Sequence, residues 1–307
     1  MSAPCLVSCR VGSEQYAVRD TDVREIARSE RLRRDPRGDG AVGTLLLDGG
    51  ERVAVFALAE VLRPGSSAAA ATSAWSHVVV TRGPTAPIGW LVERVARLPP
   101  IDGLAVRPLP LTIGWPATRW FEGLSLVDDQ PMLVVSPSDL DPRVQVPAKA
   151  ASPPIACGLA AGPMEPLAAT PPLVLTFSTP ALSDAGLDRW VVSARRVVAI
   201  VSALTLTPVP GSAPHVVGIS MCYGQVTPVI DLGGRGAPVD GGRFLVVRCA
   251  DGTTVAFPIG NDTSLRYAAA DARAIASESQ TAPACAGVFD LEGTHHALLD
   301  PDRLAAV

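Results

Sequence analysis

Apolar and polar residues alternate in short runs along most of this chain, and glycine or proline separates one run from the next. The clearest case is residues 218–232, where the alternation predicts one strand over 219–222, a second over 226–232 and a tight turn at Tyr223-Gly224-Gln225. Pro228 lies inside the second strand. Because proline has no N–H to donate to a neighbouring strand, we expect that strand at a sheet edge or at a barrel corner.

The strand–turn–strand pattern is used again at residues 43–58, and other parts of the chain recur in the same order. A predicted hairpin over 6–18 has its counterpart over 174–192, and the strands over 77–95 have theirs over 243–259. Residues 123–140 and 287–304 are equal in length, with Pro137 and Pro301 at the same position in each. The order of these matches predicts that the chain contains two copies of one domain.

A stretch of different composition separates the two copies. Eight of the 29 prolines lie between Pro142 and Pro172, together with many alanines and glycines. Such a segment buries too little apolar surface to fold, and we expect a semi-extended linker. We therefore predict a first domain at 1–141, a linker at 142–170 and a second domain at 171–307.

Each copy contains about nine or ten predicted short strands and almost no helical periodicity, which is typical of all-β folds. A long loop in the middle of each copy separates the strands into two groups of about five. This division favours two small barrels in each domain over a single large barrel.

Composition and charge exclude several classes of function. Hydrophobic residues make up 48% of the chain, but no run approaches the roughly 18–20 apolar residues of a membrane helix, and residues 1–11 lack the pattern of a signal peptide. The net charge of −4 argues against nucleic-acid binding. Acidic residues interrupt the most basic stretch, which we interpret as a solvated loop or, alternatively, a docking site for an acidic partner; its arginines are Arg28, Arg31, Arg33, Arg34 and Arg37.

The residues that usually carry catalysis or metal binding form no recognisable pattern. The six cysteines are scattered, which favours reduced thiols and a cytoplasmic location. The histidines, His77, His215, His295 and His296, accompany no serine in a nucleophile motif. His295 and His296 are adjacent on a predicted strand, so their side chains point to opposite faces and cannot share a metal ion. We predict no enzyme activity, metal or cofactor, and regard sheet surfaces and edges as the candidate binding sites.

Residues 218–232, GISMCYGQVTPVIDL, resemble the signature stretch of CheW-like domains. The segments over 16–18, 23–26, 88–95 and 287–304 are similar to further parts of that family, and 123–140 is a weaker version of the closing strands. The framework positions that this resemblance assigns are Gly43, Gly123, Gly218, Gly224, Pro228, Asp231 and Gly287.

The resemblance implies two CheW-like domains in tandem, each made of two five-stranded SH3-like β-barrels on a shared hydrophobic core. It also implies a non-enzymatic, cytoplasmic scaffold of chemotaxis signalling that docks other proteins and does not insert into a membrane. The partners implied are the regulatory domain of a CheA-type histidine kinase, the cytoplasmic tip of a chemoreceptor and other CheW-like proteins.

One part of the signature departs from the family. CheW-like domains carry an arginine before the glycine of the turn, placed for receptor contact. This chain has Tyr223 there in the second copy and, in the first, Asp48 or Gly49, depending on where the extra glycine is counted. The polar residue two positions earlier is replaced by Met221 and Leu46. Together with Gln225, these residues are the candidate partner-binding positions.

Two other hypotheses remain open. The departures also fit a divergent interaction protein of the same fold that serves a signalling pathway other than chemotaxis. A β-barrel hydrolase or ligand-binding protein would instead require a buried polar pocket that contains His77 or His295.

Overall fold

A computed structural model of the chain describes residues 5–34, 40–63, 75–83, 85–98, 105–114, 117–128, 130–140, 173–179, 189–232, 242–268, 274–275, 284–291 and 293–304. These residues form two compact units that consist almost entirely of β-strands, as predicted for an all-β protein. The predicted linker at 142–170 lies outside the described residues, so the domain boundaries at 141 and 171 stay predictions.

The first unit contains two sheets in its described residues. Its strands are β1 (Leu6–Val11), β2 (Glu14–Arg19), β3 (Val23–Arg28), β4 (Leu32–Arg33), β5 (Gly43–Leu46), β6 (Arg52–Ala57), β7 (His77–Thr81), β8 (Ile88–Val92), β9 (Arg94–Arg97), β10 (Phe121–Val127) and β11 (Gln130–Val135). The sheet orders are β3-β7-β8-β6-β5-β4 and β10-β11-β2-β1-β9. Two short helices, α1 (Leu58–Leu62) and α2 (Ala117–Trp120), follow β6 and precede β10.

The second unit also contains two sheets. Its strands are β12 (Leu173–Ser178), β13 (Arg189–Ser193), β14 (Val197–Val201), β15 (Val216–Cys222), β16 (Gln225–Ile230), β17 (Arg243–Arg248), β18 (Thr254–Ile259), β19 (Ser264–Tyr267), β20 (Ala274–Ile275), β21 (Cys285–Leu291) and β22 (Thr294–Leu299). The sheet orders are β14-β17-β18-β16-β15 and β19-β12-β13-β22-β21-β20.

The two units repeat one strand order, which confirms the predicted duplication. Strands β3-β7-β8-β6-β5 correspond to β14-β17-β18-β16-β15, and β10-β11-β2-β1-β9 correspond to β21-β22-β13-β12-β19. Each five-strand set contains one parallel pair, namely β6 with β8, β16 with β18, β2 with β11 and β13 with β22. Two of the sheets carry a sixth strand, β4 or β20, of only two residues. A strand that short leaves no alternation for sequence analysis to find.

The second unit is held together by a group of buried apolar side chains that belong to both of its sheets. This group, which we call the joint core, includes Leu175 and Trp190 from one sheet and Leu245 and Phe257 from the other. A separate group, which includes Phe244, fills the other face of the sheet of β14–β18. This arrangement matches the two barrels on a shared core that were expected for each domain.

The segment that begins at Val23 is a bent strand. A β-bulge lies between Val23 and Glu25 of β3, and an equivalent bulge lies between Val197 and Ala199 of β14. Bulges bend a strand and increase its twist. The same bend therefore occurs at the same place in both copies.

Pro228 does not lie on an edge strand, so that part of its prediction was wrong. Strand β16 lies between β15 and β18. The N–H and C=O of Ile219, which is paired with Pro228, both bond to Thr207, so the Ile219–Pro228 pair exchanges no ladder hydrogen bonds. The proline nitrogen faces β18 instead. Strands β16 and β18 are paired at one position only, Val229 with Ala256. The missing donor therefore removes no bond between β15 and β16.

Three of the framework glycines share one structural reason. At Gly43, Gly123 and Gly218, a backbone carbonyl of a neighbouring segment occupies the space that a Cβ would need. These carbonyls belong to Arg33, Arg107 and Thr207 respectively. Glycine at these positions lets a second segment pair closely with the strand.

Replacing Gly43 by alanine is expected to lower the free energy of unfolding of the first unit by about 2 kcal/mol. The added Cβ would lie 2.5 Å from the Arg33 carbonyl oxygen and 3.1 Å from Leu32 Cδ1. Urea denaturation measures the change. Gly49→Ala is the matched control, because no atom lies within 4 Å of its added Cβ. Equal losses in the two variants would contradict the steric explanation.

Candidate functional site

The turn between β15 and β16 presents an exposed tyrosine. Cys222 pairs with Gln225, so Tyr223 and Gly224 are the two loop residues. Their φ angles are 50° and 76°, and a type I′ hairpin turn requires positive φ at both central positions. The Tyr223 residue is 71% exposed. We call residues 221–225 the second turn.

The backbone of Tyr223 is unfavourable for a tyrosine. The left-handed region costs an L-residue with a Cβ about 1–2 kcal/mol, whereas glycine and asparagine adopt it readily. Residues held in such conformations concentrate at binding and active sites, where the strain has a use. An exposed ring on a strained backbone makes the second turn a candidate contact surface.

The other two candidates in this copy lie beside Tyr223. Met221 is half-buried and pairs with Val226, and Gln225 is exposed at the start of β16. The Gln225 amide oxygen accepts a hydrogen bond from Thr254 Oγ1 at 3.4 Å, which ties that side chain to β18. The structure therefore brings Met221, Tyr223 and Gln225 together at one end of a hairpin.

The equivalent turn between β5 and β6 is longer and more polar. Leu46 is 44% exposed, and the side chain of Asp48 is 90% exposed. Gly50 has a φ of 80°. The carboxylate of Glu51, at the far side of the turn, forms an ion pair of 3.1 Å with Arg24 of β3. We call residues 46–52 the first turn.

An arginine from another segment reaches the first turn. The guanidinium of Arg31 donates to the Leu46 carbonyl at 3.2 Å, to the Asp48 carboxylate at 2.9 Å and to the Glu25 carboxylate at 2.9 Å. Sequence analysis interpreted Arg31 as part of a solvated loop and missed this contact. The run of arginines over 28–37 indicated a basic segment, but nothing in the sequence shows which arginine contacts the first turn. A positive charge therefore stands beside Asp48 in the first copy.

The remaining framework residues occupy equivalent places in the sheets. Gly123, Gly218 and Gly287 each follow a register shift in β10, β15 or β21. Asp231 is 5% exposed, and its N–H donates to the His215 carbonyl at 2.8 Å.

The hydrolase hypothesis requires a buried polar pocket that contains His77 or His295. His77 begins β7 in the first unit, where Nδ1 lies 2.6 Å from Ser76 Oγ. Burial, with a smaller effect of the Arg28 guanidinium, lowers the pKa of His77. His295 is exposed on β22 of the second unit, and its neighbour His296 is only 8% exposed. The opposite orientation of His295 and His296 is as predicted. His295 is exposed and His77 is only partly buried, so neither side chain is enclosed as the hydrolase hypothesis requires.

Buried His215 is expected to make the stability of the second unit depend on pH. Burial lowers the pKa of His215 from 6.5 in the folded chain. Below about pH 6.5, His215 therefore binds a proton more readily in the unfolded chain than in the folded chain. Unfolding free energy should therefore fall as the pH drops from 6.5. In His215→Gln this loss should be smaller, which chemical denaturation at pH 5 to 8 measures. His295→Gln is the control, and an identical pH profile for wild type and His215→Gln would contradict the prediction.

The described residues hold no group of three or more His, Cys, Asp or Glu side chains that is arranged to bind a metal ion. No disulfide joins the five cysteines that the structure describes, while Cys157 lies outside the described residues. Burial raises the pKa of the Cys9 thiol to about 12, which keeps it protonated and unreactive. In the described part of the chain, no helix has the length and apolar character needed to cross a membrane.

Comparison with protein-family models identifies one family. The family model described as CheW-like domain matches the chain twice, over residues 6–143 and 182–307. Among solved structures, the scaffolding protein TtCheW from Thermoanaerobacter tengcongensis is 21% identical, with a TM-score of 0.39, over 46% of this chain and 92% of that chain. No curated protein matches the chain. Because the family model covers most of the sequence in two successive stretches, the chain belongs to the CheW-like domain family and carries that domain twice.

Proposed function

We propose that this chain is a cytoplasmic, non-enzymatic adaptor of chemosensory signalling. Its two domains dock the regulatory domain of a CheA-type histidine kinase, a chemoreceptor tip or other CheW-like proteins. The observation that carries the proposal is the repetition of the family match in both halves of the chain. The shared five-strand order of the two units supports it, because each copy keeps both sheets of the domain.

We assign partner contact to the two turns, which differ in chemistry. The second turn offers Tyr223 and Met221, and exposed tyrosines are frequent energetic centres of protein interfaces. The first turn offers Leu46 flanked by the charged Asp48 and Arg31. Surfaces of such different character suit two different partners, or two different regions of one partner.

Two binding domains in one chain give an adaptor an advantage that neither domain has alone. Once one domain is bound, the second contact becomes intramolecular, and its effective concentration rises. The apparent affinity of the whole chain for an assembly then exceeds that of either domain without any new contact. This property supports a role in a multi-protein array.

Calorimetric titration of the full chain tests the proposal. The titrants are the regulatory domain of the cognate CheA-type kinase and a soluble fragment of a cognate chemoreceptor tip. We expect a dissociation constant on the order of micromolar for at least one of them, which corresponds to about −8 kcal/mol. Absence of binding to both would overturn the proposed function.

Tyr223 also favours a second candidate, a CheW-like interaction protein of another signalling pathway, because the family arginine for receptor contact is missing. Tyr223→Arg separates the two candidates. Stronger binding of the receptor fragment would support a chemoreceptor-coupling site that has diverged. Unchanged binding would support a different partner.

A further inference from the structure

A cavity in the second unit has no part in the proposed docking function. It has a volume of about 320 Å³, is partly open, and lies on the sheet of β19, β12, β13 and β22. Two arginines, one aspartate, one histidine and four hydroxyl residues line it, and Leu291 adds apolar surface. The side chains that matter for ligand recognition are Arg189, Arg266, His296, Thr176 and Ser264.

Hydrogen bonds order several of these polar groups. Thr176 Oγ1 lies 2.8 Å from Ser264 Oγ, and Arg266 Nε donates to Ser264 Oγ at 3.2 Å. His296 Nδ1 lies 3.0 Å from the Thr294 carbonyl oxygen, so this nitrogen carries a proton and donates it. These bonds hold the walls of the cavity in one arrangement.

Charged side chains of both signs line the cavity. Its lining includes two guanidinium groups, Arg189 and Arg266, and one carboxylate, Asp262. That carboxylate already accepts a hydrogen bond from the Ser178 hydroxyl. Within the lining, guanidinium groups therefore outnumber carboxylates by two to one.

The first unit shows what these positions look like without the cavity. Its parallel pair joins Leu133 to Tyr16, and the equivalent pair in the second unit joins Ala297 to Trp190. The residues one position earlier are therefore equivalent as well. Met132 corresponds to His296, and Gln15 corresponds to Arg189.

The pairing of β12 with β19 identifies a third pair of equivalent residues in the two units. Leu98 donates its N–H to Leu6, the counterpart of Val174, and Val174 pairs with Arg266. Leu98 therefore corresponds to Arg266. In the first unit, Leu98 and the 2% exposed Met132 pack into one apolar cluster. The second unit has an arginine and a histidine where the first unit completes its core.

Stability alone does not favour these replacements. Exchanging a buried methionine and a partly buried leucine for histidine and arginine gives up apolar burial, which contributes about 1.5–3 kcal/mol for a fully buried side chain such as Met132. The fold does not require the charged residues, because the first unit adopts the same strand order without them. The cavity residues therefore have a use other than holding the barrel together.

We propose that this cavity binds a small organic anion through a phosphate or carboxylate group. Guanidinium groups recognise both oxyanions with paired hydrogen bonds. One hydroxyl of the Thr176–Ser264 pair donates to the other, which leaves the second O–H as a further donor. Leu291 and Phe177 contribute apolar surface for the body of the ligand. The volume lies at the lower end of the range for small-molecule sites.

Ligand titration of the full chain by NMR tests this site with phenyl phosphate, benzoate and phenol. We expect saturable binding of at least one anion with a dissociation constant of about 1 mM or tighter. The anion that binds more tightly identifies the group recognised. Binding of neutral phenol as tightly as the anions would overturn the proposal, as would the absence of saturable binding by both anions.

Variants that introduce the first unit's residues locate the site. Arg189→Gln and Arg266→Leu should each weaken anion binding at least tenfold, and His296→Met should block the cavity by volume rather than by charge. Arg248→Gln is the matched control, because it removes an exposed arginine from the other sheet of the same unit. Circular dichroism verifies folding of each variant. A loss for Arg248→Gln equal to that for Arg189→Gln would show a general charge effect and overturn the site.

Discussion

Tyr223→Asn is expected to stabilise the second unit and, in the same protein, to weaken binding to its signalling partner. Asparagine adopts the left-handed backbone of the turn with less strain than tyrosine. The free energy of unfolding should therefore rise by about 1 kcal/mol. Removal of the exposed ring should reduce the affinity for the partner found by titration at least tenfold, or about 1.4 kcal/mol.

The opposite signs of the two effects make this prediction informative. A mutation that merely disrupts the fold lowers stability and binding together, whereas Tyr223→Asn should separate them. Thermal unfolding and calorimetric titration measure the two quantities on one sample. Asp128→Asn is the control, since Asp128 also has a φ of 50° and lies in a hairpin turn of the other unit. Wild-type affinity in Tyr223→Asn would exclude the second turn as the contact surface.

Phe257→Ala should cost the second unit about 3–5 kcal/mol of unfolding free energy. Phe257 is fully buried in the joint core, where side chains from both sheets meet. A loss of this size is a large part of the 5–15 kcal/mol that is usual for a domain. The space left by the missing phenyl ring lies between the two sheets of the unit. We therefore expect faster amide hydrogen exchange in both sheets.

Phe244→Ala is the matched control for this prediction. Phe244 is equally buried, but it packs on the other face of the sheet of β14–β18. Its removal should increase exchange mainly in that sheet, and much less in the sheet of β12, β13, β19, β21 and β22. If Phe257→Ala also affected a single sheet, the two barrels would be independent, and the joint core would not couple them.

Much of the fold could be predicted from the sequence because its hairpins are local. In β15 and β16 the alternation of apolar residues identifies both strands, and Gly224 marks the turn between them. The closing strands β10 and β11 recur as β21 and β22 with the same spacing, so the duplication was visible without a structure. Strand pairs joined by a short turn need no information from distant residues.

The features that were missed depend on pairing between distant segments. The interior position of Pro228 follows from the pairing of β16 with β18, and the contact of Arg31 with Asp48 follows from the path of the chain after β3. Neither is a local property of the sequence.

The anion cavity was missed for the same reason. Arg189, Arg266 and His296 come from β13, β19 and β22, and only the register of three strand pairs brings them to one face. Sequence analysis placed His295 and His296 on opposite faces correctly. It had no means of showing what His296 would face.

The ion pairs of the first turn give it a sensitivity to ionic strength that the second turn lacks. Arg31, Asp48 and Glu25 are all partly exposed, and dissolved ions screen exposed pairs within a Debye length of about 10 Å at 0.1 M salt. Among the described residues, the second turn is held by backbone pairing and by the Gln225–Thr254 hydrogen bond, with no ion pair. Added salt should therefore loosen the first turn and leave the second unchanged. A salt titration thus distinguishes the two domains of one intact chain without altering either sequence.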